Sequence, residues 1–271
     1  MKNVRATPAG TAASLLETIV AATRRAVEVR AASRPAATME REIVRQPRGT
    51  EFVDALTRSP FPRIIAECKR RSPSRGILRA DYDPAAIASA YASAGAAAIS
   101  VLTEPTFFDG APEHLRAVRA AVSIPVLRKD FVITDYQLVE AAALGADAAL
   151  LIVGALDDEP LRQLIRRCAE LRLAALVEVH DEIELERALA AEARIIGVNS
   201  RNLRTLAVDP GVLERLARSL PKGIVAVAES GLKMPSDLHR LAEARYDAFL
   251  VGERLVSAAD PGAALRELRG A

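Results

Sequence analysis

A chain of 271 residues with 37 basic and 35 acidic side chains, formal charge +2, carries no global field, which argues against nucleic acid or an anionic membrane as its partner. Half the residues are hydrophobic, yet no apolar run approaches the roughly 18 residues that span a bilayer. Cys68 and Cys168 are isolated, with neither metal-ligand spacing nor a disulfide framework, so the reducing cytoplasm is the expected compartment.

Residues 15–29 place Leu15, Ile19, Ala22, Ala26 and Val29 at helical spacing. Glu17 and Glu28 argue against an acid-poor targeting peptide, so an amphipathic, packed helix is expected. Further short helices are predicted over 39–46 and 49–57, divided by Pro- and Gly-bearing breaks. Together these pieces hold too little apolar surface for a core of their own. Residues 1–60 are therefore read as an N-terminal helical extension packed on the unit formed by 61–271.

From residue 62 the sequence settles into a rhythm. Short apolar runs at 63–68, 98–102, 125–127, 148–153, 174–179, 195–198, 224–228 and 248–251 read as strands, each nearly continuous in hydrophobicity, as expected of parallel strands covered on both faces. Helices are predicted between and after them, over 84–94, 112–121, 135–144, 158–171, 182–191, 211–219, 236–244 and 261–268. Asp83-Pro84, Asp158 and Pro235-Ser236 suit helix starts, and Gly95 and Gly145 suit helix stops. Strict alternation of eight strands with eight helices predicts an α/β protein, a (β/α)8 TIM barrel with the N-terminal helical extension. A doubly wound open sheet is the alternative, but the GxGxxG that would follow its first strand is absent.

In such barrels function collects where strands run into their following loops. There the first strand brings Glu67 and Lys69 and then Ser72; the third brings Lys129 and Phe131; the fifth, Glu178; the sixth, Asn199 and Arg201. The seventh ends in Glu229, Ser230 and Gly231, and the eighth in Gly252 and Glu253. Period-2 alternation puts Glu67 and Lys69 on one strand face, able to point together into the barrel mouth. Any one of these charges alone reads equally well as a rim salt bridge. A charge inside a barrel is costly unless paired, so three carboxylates and two lysines converging on one rim point to catalysis. Small residues after the last two strands, and a short extra helix predicted over 252–257, resemble a recurrent phosphate site; glycine used merely for tight turns is the plainer alternative. Phe107, Phe108 and Phe131, half of the six phenylalanines, fall on loops, where an aromatic substrate could meet them, although core packing is the usual use of Phe. His114, His180 and His239 lie far apart and are read as solvated or hydrogen-bonded histidines rather than ligands.

At these residues the chain resembles indole-3-glycerol phosphate synthase. The matching segments are IIAECKRRSPSRG, ISVLTEPTFFDG, PVLRKDFVITDYQ, GADAALLIV, LVEVH, IGVNSRNL, VAESGL and LVGERLV, in the family's order from residue 64 to 256. The N-terminal LLETIVAATRRAVEVR also looks like that family's helical extension. Two positions depart from the pattern: Ala111 stands where a serine is common and Ser200 where an asparagine is common, which bears on secondary loop contacts. The resemblance implies closure of an indole ring on 1-(2-carboxyphenylamino)-1-deoxyribulose 5-phosphate, with release of carbon dioxide and water, in tryptophan biosynthesis. It further implies Lys129 as general acid for ring closure, with Glu67, Lys69, Glu178, Asn199 and Glu229 orienting the substrate, stabilising charge and moving protons. Ser230, Gly231 and Gly252 would hold the phosphate, with Ser72, Arg201 and Glu253 on the substrate side of the rim. Phe108, Phe131, Leu150, Leu203 and Leu250 would enclose the aromatic ring. Neither metal nor organic cofactor is expected, because the chemistry needs no carbanion sink or hydride acceptor. The expected partner is a small phosphorylated aromatic substrate, the expected state a monomer, and association with other tryptophan-pathway enzymes stays open.

Two other readings also stay open. A different barrel enzyme would use Lys129 or Lys69 as a Schiff-base nucleophile. A non-catalytic phosphate-binding or scaffold protein would keep the fold without the chemistry. The sibling isomerase of the same pathway fits less well, having no need for the extended N-terminus or the E-x-K-x-x-SPS segment.

Overall fold

Short aliphatic runs become the staves of a closed parallel barrel. The computed structural model describes residues 14–203 and 205–270; residues 1–13 of the expected extension lie outside them. Among the described residues eight strands close the barrel: β1 (Ile64–Cys68), β2 (Ala98–Leu102), β3 (Val126–Lys129), β4 (Ala148–Ile152), β5 (Ala174–Val179), β6 (Ile195–Asn199), β7 (Val225–Glu229) and β8 (Ala248–Val251). Each strand pairs with its sequence neighbour, and β8 returns to β1 through Ala66 opposite Val251. This is the predicted (β/α)8 architecture.

Alternation along the strands builds two cores. Ile65, Leu127, Leu150, Leu176, Ile195, Val227 and Leu250 fill the barrel interior, while Ile64, Ala66, Ile99, Val101, Leu151 and Val177 face the surrounding helices. That outer ring comprises α4 (Pro84–Ser93), α6 (Pro112–Ala121), α7 (Asp135–Leu144), α8 (Asp158–Glu170), α9 (Glu182–Ala190), α10 (Gly211–Ala217), α11 (Pro235–Glu243) and α13 (Pro261–Arg269), with shorter α5 (Pro105–Phe108) and α12 (Glu253–Val256) in the loops after β2 and β8. The side chains of Asp83 and Asp260 cap α4 and α13 by accepting helix N–H groups. Among the described residues no helix is long and apolar enough to cross a membrane.

The three helices ahead of the barrel are α1 (Leu15–Ser33), α2 (Ala36–Arg41) and α3 (Gly49–Thr57). A capping box between Ser14 and Glu17 starts α1. Leu16 and Ile19 of α1, and Phe52 and Leu56 of α3, join the cluster that fills the barrel interior. Two buried acids on the barrel fasten the intervening segment. Arg30 Nε lies 2.9 Å from Glu140 Oε1, and Asp147 accepts from Arg45 Nη2 at 2.8 Å and from the Arg48 N–H at 2.9 Å.

This anchoring corrects one expectation. The helix predicted over 39–46 instead runs over Ala36–Arg41. Pro35 opens it, and Pro47 disfavours helical backbone in the residue before it. The chain from 42 onward is then free to carry Arg45 and Arg48 to Asp147. The third strand also differs from its predicted span of 125–127, reaching Lys129 because charges that interrupt an apolar run are here buried in pairs. Val153, expected to end the fourth strand, begins a 3-10 turn over Val153–Ala155. Residues after β1 form a small antiparallel hairpin, Arg71–Ser72 with Gly76–Ile77.

Candidate active site

Because all eight strands run in parallel, their last residues share one rim, and the register sets who meets whom. Asn199 pairs with Glu229, Ile152 with Glu178 and Leu102 with Lys129. Alternation then turns Glu67, Lys129, Glu178 and Glu229 into the mouth, where a cavity of about 760 Å³ opens among them. That volume is suited to a small organic molecule.

Two ion-pair groups stand in it. Lys69 Nζ lies 2.5 Å from Glu67 Oε1. Across the mouth, Lys129 Nζ bridges two carboxylates, at 3.0 Å from Glu178 Oε2 and 2.9 Å from Glu229 Oε2. Glycine makes room for both groups. A Cβ on Gly252 would stand 2.2 Å from Glu67 Oε1, and one on Gly197 would stand 2.1 Å from Glu229 Oε1, so each carboxylate lies where a side chain would otherwise be.

The electrostatics follow from burial and sharing. Burial alone would drive the proton off Lys129, but Glu178, Glu229 and Glu67 outweigh it and hold the amine as an ammonium far above neutral pH. For Glu178 burial works against the charge, yet Lys129 and then His180 keep the carboxylate well below the ordinary range. Glu229 goes the other way. Burial pushes it up, with Lys129 opposing the rise and repulsion from Glu178 adding to it. One ammonium shared between two carboxylates therefore makes Glu229 the easier of the two to protonate.

The remaining walls divide by chemistry. Phe108 and Phe131, with ring centroids 6.1 Å apart, join Leu150, Leu203 and Leu250 on the apolar side. Asn199 Oδ1 accepts the Arg201 N–H at 3.0 Å, which leaves its amide nitrogen as the group it can donate from. Ser230 and Gly231 turn the chain sharply after β7, both with positive φ, 66° and 72°. Gly252 and Glu253 lead into α12 opposite them, and Glu253 is paired with Arg75 at 3.2 Å and lies 3.8 Å from Arg201.

The residues proposed from the sequence for the site border this one cavity, from Glu67, Lys69 and Ser72 round to Glu253, and of the three loop phenylalanines Phe107 alone does not. Sequence reading missed Ile152 and Leu206 on the apolar side, and Arg75 and Lys233 at the rim. Lys233 stands four residues past Glu229, beyond the strand end where alternation can place a side chain. His180 was read as unremarkable, yet it stands half-buried against Glu178. The two departures from the family pattern are visible as well: Ala111 starts α6 without a side-chain cap, and the buried Ser200 Oγ has no protein partner among the described residues.

A sequence profile described as indole-3-glycerol phosphate synthase matches residues 16–268. The chain is 52% identical over 246 residues to an indole-3-glycerol phosphate synthase of Parafrankia sp., covering 91% of each. It is 50% identical over 255 residues to the enzyme of that name from Streptomyces griseus, covering 94% of each. Among solved structures, a 3-hexulose-6-phosphate synthase superposes with a TM-score of 0.61 at 14% identity, covering 77% of this chain and 98% of that one. KGPDC from Streptococcus mutans gives 0.60 at 13%, covering 78% and 97%. Those two likenesses concern the fold alone.

Proposed function

The chain belongs to the indole-3-glycerol phosphate synthase family, and we propose that its barrel mouth performs that family's reaction with Lys129 as the acid that opens it. The enzyme is a carboxy-lyase of tryptophan biosynthesis. It converts 1-(2-carboxyphenylamino)-1-deoxyribulose 5-phosphate to indole-3-glycerol phosphate, carbon dioxide and water.

The chemistry accounts for the charge pattern. The ring carbon that bears the carboxylate attacks the ketone carbon, and the new C–C bond pushes an electron pair onto the ketone oxygen. That oxygen takes a proton as its charge develops. The Lys129 ammonium, fixed between Glu178 and Glu229, is the donor. Its hold on the proton suits an alkoxide, which is more basic than any carboxylate at the rim. Loss of carbon dioxide returns its bonding pair to the ring. The hydroxyl then leaves with a proton as water, and loss of a ring-side proton completes the indole. Glu67, Lys69, Glu178, Asn199 and Glu229 orient the substrate and handle these later protons.

The phosphate is assigned to the turn of Ser230 and Gly231 with Gly252, where short residues bring backbone N–H groups within reach, and Ser72, Arg201 and Glu253 complete that side. Phe108, Phe131, Leu150, Leu203 and Leu250 enclose the aromatic ring. In this reading residues 1–60 form the extension and 61–271 the catalytic barrel, and the protein works as a cytoplasmic monomer, with association with other tryptophan-pathway enzymes left open.

The observation that carries the mechanism is the single half-buried ammonium held between two carboxylates beside an apolar wall. Schiff-base catalysis would need Lys129 as a free amine, and three surrounding carboxylates hold it charged instead. Mixing purified protein with the carboxyphenylamino substrate tests the function: indole fluorescence should rise at a rate proportional to enzyme. No fluorescence, with a borohydride-trapped adduct on Lys129, would replace this reading by the Schiff-base one.

A further inference from the structure

Glu178 is held from two sides, and only one of them belongs to the cavity. Its Oε2 faces Lys129, whereas its Oε1 lies 3.3 Å from Nε2 of His180, the residue that follows β5. Among the described residues neither Glu178 Oε1 nor His180 Nε2 has a hydrogen-bond partner, so the two meet as an ion pair only, and His180 does not border the cavity. The far nitrogen of the ring, Nδ1, is 3.0 Å from Glu184 Oε2, and the same carboxylate oxygen accepts the His180 backbone N–H at 2.9 Å. Glu184 is itself placed by the start of α9, where Asp181 Oδ1 accepts its backbone N–H at 2.8 Å.

The result is a fixed row from α9 to the rim: Glu184, His180, Glu178, Lys129, Glu229. Both ring nitrogens are met by carboxylates, a setting that favours the doubly protonated imidazolium. Burial opposes that charge, and the contacts with Glu178 and Glu184 more than reverse it, pushing His180 up to about 10. Those are the charged groups facing the ring, from β5 and α9. Lys129 of β3 and Glu229 of β7 reach it only through Glu178, and Arg187 of α9 is turned instead to Asp158 and to backbone carbonyls.

Resting on the function proposed above, we propose that His180, oriented by Glu184, is a positioning residue that clamps the second oxygen of Glu178 and so fixes the carboxylate against which Lys129 is aimed. A carboxylate gripped at one oxygen alone can rotate and can take up a proton. One held at both keeps its plane and its charge, which leaves Glu229 the easier of the two carboxylates to protonate. The histidine touches no substrate in this arrangement. It sets the geometry and charge of groups that do.

The test compares full-length wild type, His180→Asn, His180→Lys and Glu184→Gln. kcat and KM are measured across pH, folding is checked by circular dichroism, and the imidazole of His180 is titrated by NMR. Removing the cation in His180→Asn should lower kcat roughly ten- to a hundredfold, as loss of an outer-shell partner commonly does, with KM little changed. The acidic limb of the kcat profile should move up by about one pH unit, because Glu178 has lost an opposite charge. His180→Lys, which keeps a cation, should restore much of the limb, and Glu184→Gln should shift it in the same direction as His180→Asn but less. A folded His180→Asn enzyme with kcat and limb unchanged would overturn the proposal. So would a kcat loss that merely follows a loss of folded protein with the limb in place. By NMR the wild-type ring should stay protonated through neutral pH, and titration near its ordinary value would overturn the clamp whatever the activity. An inactive wild type with the ring still protonated would count against the proposed function and not against the clamp.

Discussion

Arg128 and Lys129 are neighbours in β3 and send their charges to opposite sides of the sheet. Lys129 points into the mouth, to Glu178 and Glu229. Arg128 points outward into the layer between barrel and helices, fully buried, with Nη2 2.9 Å from Asp130 Oδ2 and 2.8 Å from Glu140 Oε2. Its Nη1 donates to the Gln137 carbonyl at 2.8 Å, and Arg30 of α1 reaches the same Glu140. One residue along a strand thus separates a structural cation from the proposed catalytic one.

Replacing Arg128 by Met should therefore cost stability. It leaves Asp130 without the guanidinium and strips Glu140 to its Arg30 partner. Breaking a buried pair from one side costs about 3–5 kcal/mol. In a chain of this size that lowers Tm on the order of 10 °C, readable by calorimetry. An unchanged Tm would mean that the Arg128 network is energetically idle.

The two glycines that face carboxylates should resist substitution for a reason specific to the site. In Gly197→Ala the new methyl would fall 2.1 Å from Glu229 Oε1, and in Gly252→Ala 2.2 Å from Glu67 Oε1. Each carboxylate would swing away and abandon its lysine. Both variants should keep native circular dichroism and lose at least tenfold in kcat, a change of about 1.4 kcal/mol in barrier. Full activity in either would show that its carboxylate position is not required.

The pH dependence of stability offers an independent check on His180. Its pKa in the folded protein, about 10, lies above the ordinary 6.5, so folding binds a proton. The stabilisation is complete below about pH 6.5, fades as pH rises between the two values and is gone above about 10. The Tm difference between wild type and His180→Asn should accordingly be largest near pH 6 and shrink towards pH 10. A difference that is flat across that interval would rule out the imidazolium.

Much of this architecture was legible in the sequence because it obeys local rules. Alternating runs and helix-start residues announce eight βα units, and position at a strand end, with period-2 alternation, picks out Glu67, Lys69, Lys129, Glu178 and Glu229. What escaped depends on contacts made across long stretches of chain. The helix expected over 39–46 gave way to Ala36–Arg41 because Arg45 and Arg48 answer to Asp147, roughly a hundred residues downstream. Arg128 ended an apolar run on paper, since nothing local shows that Asp130 and Glu140 would bury it. His180 looked ordinary because its spacing of four from Glu184 matters only once β5 has ended and α9 has begun. The hairpin after β1 carries no alternation long enough to read.

Lys129 is the residue on which the proposed ring closure depends. Steady-state turnover of the carboxyphenylamino substrate by purified Lys129→Met, followed by indole fluorescence beside the wild type, tests it most directly. Loss of the proton donor should lower kcat by about 10²–10⁴-fold, in a variant whose circular dichroism remains native. Near-normal turnover by that folded variant would contradict the assignment of Lys129 as the acid that closes the ring.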